Sequence, residues 1–426
     1  MEKDELRKLQ QVFQIINERT TVIENSENNT TTISTELDPI KVCLVGPKAS
    51  GKTSLIASLF SKIEELNSAQ YELEVGDETK DEVRDLQNKL QVIKDEDVNE
   101  DVSRLMQQED NVAKFEGITG SDNWTEYKFK LHFKKTWKDE KKIQKVTIPF
   151  VFMDVQGGMI SGDIPEAEEF VEHRKNSSII IVPFDSMLLM QTPINNYDDV
   201  AWKGYRSGHL GVNHIERQLK KWIDNRIDQK DPHSIAMFVA MKSETYHSYG
   251  GIKAESINAK PIEVVQGYPF YKCFNIFKSK YQDAIDVIKN RATEIVYTPL
   301  ETIGCISCDS MTFDEKNGLA PKYLKRERVY KLLGSGVIFD KIINRAFEQL
   351  EDQFGNSNKY IELIRNTSAW DIPGSIIEIL CAKFKMFFNS KKDFVVEFYN
   401  TLNNIENDLK AIAKTDEAGM LFSKSL

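Results

Sequence analysis

The chain has 426 residues, 40% of them hydrophobic and 10% aromatic, which is enough for two or three domains with sizeable cores. A formal net charge of −10 argues against broad, sequence-independent binding of nucleic acid. No stretch reaches the roughly 18 apolar residues that a membrane span needs. The five cysteines (Cys43, Cys273, Cys305, Cys308 and Cys381) are odd in number and scattered, so they do not read as a disulfide framework. With a charged, polar beginning, MEKDELRKLQ, the expectation is a protein of the reducing cytoplasm, with no nucleic-acid partner and no transmembrane segment.

Residues 3–18 carry Leu6, Leu9, Val12, Phe13, Ile15 and Ile16 in a short amphipathic helix pattern. Residues 20–38 are rich in Thr, Asn, Ser and Glu and read as a linker, so 1–40 is expected to be an N-terminal helix with a polar linker. Lys41-Val-Cys-Leu-Val45 is then an apolar run of β formers, and Leu55, Ile56, Leu59 and Phe60 follow at helical spacing. Between them lies Gly46-Pro47-Lys48-Ala49-Ser50-Gly51-Lys52-Thr53, which matches G-x-x-x-x-G-K-[ST] in its required strand–loop–helix setting. Such a loop turns backbone N–H groups around a phosphate, and the helix N-terminus adds its positive dipole end. Lys52 is expected to reach the β- and γ-phosphates, and Thr53 to offer its hydroxyl to Mg²⁺, with Ser54 beside it at the start of the helix.

Residues 71–118 interrupt this unit. Residues 71–110 hold fourteen acidic side chains against five basic ones, nearly all of the chain's net charge. Val83, Leu86, Leu90 and Ile93 recur at 3-4-3 spacing, which predicts a helical insert with one apolar stripe. Tyr127–Phe133 alternates as a half-buried strand, Lys145–Asp154 is a second strand, and the Lys-rich stretch 134–142 is a hairpin tip between them. Ser178–Phe184 and Ser234–Met241 read as buried parallel strands, 212–229 and 275–293 as helices, and Leu300–Ser307 as the next strand. From about 322 helices take over, at 323–334, 336–354, 358–365, 373–389 and 392–413. The expected fold is α/β: a mostly parallel sheet flanked by helices over 41–320, interrupted by the helical insert 71–118 and followed by an all-helical region over 321–426.

The strand ending at Asp154 continues into Val155-Gln156-Gly157-Gly158. An acid at the carboxyl end of a strand, opposite a phosphate loop, can hold Mg²⁺, and a glycine N–H can meet a γ-phosphate with no side chain in the way. On these residues the chain resembles the translation-factor and Ras-like class of P-loop GTPases, whose magnesium and γ-phosphate motif is matched by Asp154-x-x-Gly157. Met241-Lys242-Ser243-Glu244 stands where that class carries [NT]-K-x-D, and Ser307-Cys308 where it carries Ser-Ala. The resemblance implies that Lys242 lies along a guanine face, that Glu244 accepts from the guanine N1 and N2 hydrogens, and that the Ser307-Cys308 backbone meets guanine O6. It also implies a threonine in the first switch. Thr119 and Thr125 both qualify, and Thr119 is favoured because Gly117 and Gly120 give its loop room. The long insert is similar to those of double-GTPase and related GTPase-like domains in bacterial multi-gene and defence systems.

The resemblance covers roughly 41–310 and implies a Mg²⁺-dependent GTPase acting as a conformational switch, with Lys52, Gly157 and Thr119 serving catalysis. Its output would pass to a protein partner through the insert or the C-terminal helices, and an oligomer is compatible with either surface. Met241 and Glu244 depart from the class and keep ATP as the runner-up nucleotide. Gly158 stands where many members carry a water-orienting Gln, which implies slow hydrolysis or a nucleotide-dependent scaffold. Arg174 is a candidate for the missing catalytic group on location alone. Cys305-Ile-Ser-Cys308 is half of a metal-site spacing with no second half, and His209 and His214 fit no strong ligand spacing.

Overall fold

The computed structural model describes residues 18–25, 30–64, 71–76, 79, 81, 83–85, 124–136, 142–228, 233–247, 269–302, 306–325, 334–354, 388–413 and 423–426. In chain order these form β1 (Thr20–Asn25), β2 (Thr30–Glu36), β3 (Ile40–Leu44), α1 (Lys52–Glu64), β4 (Tyr71–Val75), β5 (Trp124–Thr136) and β6 (Lys142–Val155). Then come α2 (Gly157–Ser161), α3 (Glu168–Asn176), β7 (Ile179–Asp185), α4 (Ser186–Met190), α5 (Asp199–Leu210), α6 (Val212–Asp228), β8 (Ile235–Met241) and α7 (Glu244–His247). The remainder is α8 (Pro269–Lys280), α9 (Gln282–Ile288), β9 (Glu294–Pro299), β10 (Ile306–Asp314), β11 (Gly318–Lys325), α10 (Ser335–Phe354), α11 (Phe388–Ala413) and β12 (Lys424–Ser425).

The centre is a mostly parallel sheet in which β6, β3, β7, β8 and β9 lie side by side. β2 and β3 run end to end along one edge of β6, pairing with residues 142–147 and 150–153, while β5 pairs antiparallel along the other edge. β3 shows why both faces are covered. Its successive side chains Val42, Cys43 and Leu44 are all fully buried, but they enter two different cores. Val42 and Leu44 pack with Leu55, Ile56 and Leu59 of α1 and with residues of α10 and α11. Cys43 packs with Phe170 of α3, Leu219 and Trp222 of α6 and Phe277 of α8. A strand buried on both faces must be apolar throughout, which is how β3, β7 and β8 read. Among the described residues no helix is long and apolar enough to cross a membrane.

Several expectations change. The tract 20–38 is no linker. Thr20–Asn25 and Thr30–Glu36 form an antiparallel hairpin, and β2 joins the main sheet through β6. Its β-branched Thr, Val and Ile side chains favour extended backbone, and this outweighs its polar composition. Tyr71–Val75, placed in the helical insert, is a strand paired with β5, and its Tyr71 ring packs edge-on against Phe133. Val83 is helical and buried in the sheet's core, while Leu86, Leu90 and Ile93 lie outside the described residues. The helix expected over 275–293 starts at Pro269, breaks at Tyr281 and ends at Ile288.

The largest shift is in the strand expected at Leu300–Ser307. The parallel strand is Glu294–Pro299, and Ile306–Asp314 belongs to a separate two-stranded sheet with β11. Pro299 closes the strand, which a proline allows at a strand end because the lost N–H is not needed there. β11 also replaces the start of the helix expected at 323–334. The helices at 336–354 and 392–413 are present as α10 and α11, and both share the core that α1 forms with the sheet. Of the helices expected at 3–18, 358–365 and 373–389, all but Glu18 and residues 388–389, which belong to α11, lie outside the described residues.

Candidate functional site

The loop 46–53 leaves β3 and enters α1 at the carboxyl end of the parallel strands. Its path requires glycine at two places. A Cβ on Gly46 would lie 2.7 Å from the Pro183 carbonyl oxygen, and Gly51 has φ +90° with the Met241 methyl 2.9 Å from where a Cβ would be. Ala49 holds a left-handed φ of +60°, a conformation that costs about 1 kcal/mol or more and that surrounding structure must maintain. Lys52 is buried, and its Nζ donates to the Gly46 and Pro47 carbonyl oxygens, both at 3.1 Å. The loop therefore closes on its own lysine.

Across from it, Asp154 lies near the end of β6, opposite Thr125 on β5. Thr53 Oγ1 donates to Asp154 Oδ2 at 3.1 Å, and Lys52 Nζ stands 4.0 Å from Asp154 Oδ1. Asp154 is 1% exposed and its Oδ1 accepts no hydrogen bond. Burial pushes the Asp154 carboxyl above the usual range, with Lys52 and Thr53 pulling the other way. Burial likewise pushes the Lys52 ammonium down, against Asp154. An acceptor buried without a partner costs about 1–3 kcal/mol. One hydroxyl, of Thr53, and one buried carboxylate, of Asp154 with its unsatisfied Oδ1, are hard oxygen donors of the kind Mg²⁺ takes, and that ion is held by one or two carboxylates together with substrate phosphates. This donor set fits the ion. Among the described residues no group of three or more His, Cys, Asp or Glu side chains is arranged to hold a metal.

Gly157 opens α2 directly against the loop. A Cβ there would lie 2.4 Å from the Lys48 nitrogen and 2.7 Å from its Cα, so only glycine fits. The Gly158 carbonyl gathers the N–H groups of Gly162, Asp163 and Ile164 within 3.1 Å, tying the following turn down. Arg174, the candidate catalytic group, is buried instead. It donates to Glu166 at 3.1 Å and to Gln218, and it stacks 4.9 Å from the Phe170 ring. Its partners leave it a structural cation holding α3 to α6. Thr125 lies within β5 rather than in a loop, and Thr119 lies outside the described residues.

The loop opens into a cavity of about 620 Å³. Residues Pro47–Ser54, Asp154 and Gln156–Gly158 form its floor, and the facing wall comes from α5 and the start of α6. Gly204, Tyr205, Gly208, His209, Gly211 and His214 line that wall. Sequence reasoning missed it. The signal was the run Gly204-x-x-x-Gly208-His-Leu-Gly211, glycine-rich in a segment otherwise patterned as helix.

The expected base-recognition residues do not line this cavity. Lys242 has φ +61° and its ammonium pairs with Asp185. Glu244 is buried and accepts from the Thr302 N–H and hydroxyl, both at 3.3 Å. Ser307 and Cys308 sit in β10, where Cys308 is buried and its thiol is pushed up to about 11 by burial, so they are not at the end of the parallel strand. Leu300-Glu301-Thr302 holds that position: Ser243 N–H donates to the Leu300 carbonyl at 3.2 Å. The structure thus brings together Gly46–Thr53, Asp154, Gly157 and Gly158, joins Lys242 and Glu244 to neighbours at the next strand ends, and places Ser307 and Cys308 in β10, which packs against α7 rather than continuing the parallel strand. No family model and no curated protein matches the chain.

Proposed function

We propose that this chain binds a nucleoside triphosphate with Mg²⁺ and hydrolyses it, with GTP as the nucleotide, and that it works as a switch for a protein partner. One observation carries this reading. Lys52, Thr53 and Asp154 converge at the carboxyl ends of β3 and β6, beneath a cavity of a size that suits a nucleotide, and one buried carboxylate oxygen there has no hydrogen-bond partner. Lys52 is stored on loop carbonyls and reaches the phosphates by leaving them. Thr53 and Asp154 would hold Mg²⁺, which when bound neutralises charge on the phosphate oxygens. Gly157, pressed on Lys48, supplies an N–H beside the γ-phosphate position. Movement of Gly157 away from that contact is the switching step this reading requires.

The nucleotide's base is where a second reading has support. Both Lys242 and Glu244 are already engaged by Asp185 and Thr302, and the third base motif is displaced into β10. These contacts favour a phosphate-led site with weak base selection, so that ATP competes with GTP. Slow turnover, with assembly rather than hydrolysis as the output, is the form this takes if no water-orienting group acts. A cytoplasmic setting accords with the free, buried thiols of Cys43, Cys273 and Cys308. The surfaces proposed for the partner are the acidic insert and the C-terminal helices.

Fluorescent GTP, GDP and ATP analogues titrated with Mg²⁺ into wild type and Lys52→Ala test the proposal. Wild type should bind GTP, and the variant should bind at least about 100-fold more weakly, the equivalent of one to two charge-assisted hydrogen bonds. Equal affinity in the two proteins would rule the reading out.

A further inference from the structure

The wall of the cavity formed by α5 and α6 has no part in holding Mg²⁺ or the phosphates as read above. The two helices meet at Gly211, whose φ of +56° makes the turn and whose missing side chain lets it lie on Pro47, 3.3 Å from where a Cβ would be. His209 and His214 flank that contact, and both line the cavity together with Lys48, Lys52, Asp154 and Gly157. Gly204 and Gly208 line it too, with open space where their side chains would stand. The wall therefore approaches the phosphate loop largely as bare helix backbone, with His209, His214 and Tyr205 as its polar side chains.

His209 is prepared for one role. Its ring stacks on Tyr205 with centroids 3.9 Å apart, and Tyr205 in turn stacks on Trp202 and packs against Phe313. The His209 Nδ1 lies 3.0 Å from the Tyr205 carbonyl oxygen. A carbonyl only accepts, so Nδ1 carries the proton of that bond, and in the neutral ring Nε2 is left with a lone pair. Gly158, after the Asp154-x-x-Gly157 motif, has no side chain to orient a water.

We propose that His209 Nε2 orients and deprotonates the water that attacks the γ-phosphate, which makes α5 the carrier of the catalytic base. This rests on the nucleotide reading above. The water oxygen forms a bond to the γ-phosphorus. The bond from that phosphorus to the β–γ bridging oxygen breaks, and its electron pair leaves on the nucleoside diphosphate. One water proton passes to Nε2, the other remains on the inorganic phosphate, and the imidazolium later returns its proton to phosphate or solvent.

The test uses the full chain with His209→Ala, His209→Asn and His214→Ala. Affinity for a fluorescent GTP analogue is measured with Mg²⁺, and single-turnover hydrolysis is followed with and without added imidazole. Both His209 variants should keep affinity within about threefold of wild type and lose about 100-fold in rate, the lower range for a general base. Imidazole should restore part of the His209→Ala rate and leave wild type unchanged, which a merely structural role would not produce. The assignment is overturned by unchanged hydrolysis in both His209 variants, by loss of nucleotide binding in both, by a wild type that binds GTP and turns none over, or by a rate loss confined to His214→Ala. A wild type that binds no nucleotide overturns the nucleotide reading, and this inference with it.

Discussion

The carboxyl ends of the parallel strands form two unlike halves. At β3 and β6 the chain leaves room: the loop 46–53, Asp154 and Gly157 face a cavity, and a buried carboxylate oxygen lacks a hydrogen-bond partner. At β8 and β9 the chain closes on itself. Ser243 bonds Leu300, Glu244 bonds Thr302, Lys242 pairs with Asp185, and Gly334 lies over the end of β9 on the way into α10. An open half that faces a cavity has room for a ligand, whereas at the closed half Lys242, Ser243 and Glu244 are already engaged by Asp185, Leu300 and Thr302. The comparison teaches that one sheet carries an open end and a closed end, so the proposed phosphate site and the proposed base site can be probed separately.

The largest effect is expected where the closed half is most crowded. Gly334 has φ +99°, and a Cβ on it would lie 2.0 Å from the Pro299 carbonyl oxygen and 2.9 Å from Leu300 Cα. Both contacts are with backbone, so the seam must open. Gly334→Ala should cost about 3 kcal/mol or more in urea unfolding. A loss under about 1 kcal/mol would show that the entry to α10 is not seated on β9. Gly157→Ala is the matching change in the open half. Its Cβ would meet Lys48 backbone at 2.4 Å, but φ is not in the left-handed region and α2 is short, so relief by a local shift is available. About 2 kcal/mol is expected, with loss of any nucleotide-induced rise in melting temperature. A retained rise would separate Gly157 from the phosphates.

Glu244→Gln sharpens the comparison from the other side. A glutamine keeps an acceptor for the Thr302 N–H and hydroxyl, so unfolding should change by less than about 1 kcal/mol. If the side chain also meets guanine, the preference for GTP over ATP should fall about tenfold, one charge-assisted bond. An unchanged preference in competition titrations would make this half structural.

The two halves also differed in how far the sequence revealed them. The loop 46–53 was legible as a turn between strand and helix because its signal is local: eight consecutive residues between a β run and a helix leave few alternatives. Asp154 and Gly157 were legible for the same reason, as was the α/β class, since β3, β7 and β8 are apolar without interruption. The base half was not, because the parallel strand ends at Pro299, eight residues before the expected Ser307, about 26 Å of extended chain. Glu294–Pro299 and Ile306–Asp314 both carry β formers, and pairing partners decide which of them joins the parallel sheet. The hairpin 20–36 was hidden by polar threonines, whose preference for extended backbone shows once β6 offers an edge. The wall with His209 and Gly211 was invisible because its meaning lies in a contact with Pro47, more than 150 residues away in the chain.

The smallest effect concerns what holds that wall. Glu166 accepts from Gln218 Nε2 at 2.7 Å, Lys221 Nζ at 2.9 Å and Arg174 at 3.1 Å, which ties the turn after α2 to α3 and α6. Burial alone would raise its carboxyl, but the bonds from Arg174, Lys221 and Gln218 outweigh it and bring the group from 4.5 down to about 2. A carboxyl held below its unfolded value stabilises the fold above that value. The contribution is therefore complete above pH 4.5 and is lost as the pH falls through about 2. Glu166→Gln should lower the melting temperature by about 3 °C near neutrality, a modest figure because Lys221 is solvent-exposed. The gap between wild type and variant should then close on acidification from pH 4.5 toward 2. A gap that stays constant across that window would mean that the carboxylate's charge does not hold the wall, and that α6 is kept against the phosphate loop by its apolar contacts with Phe170 and β3 alone.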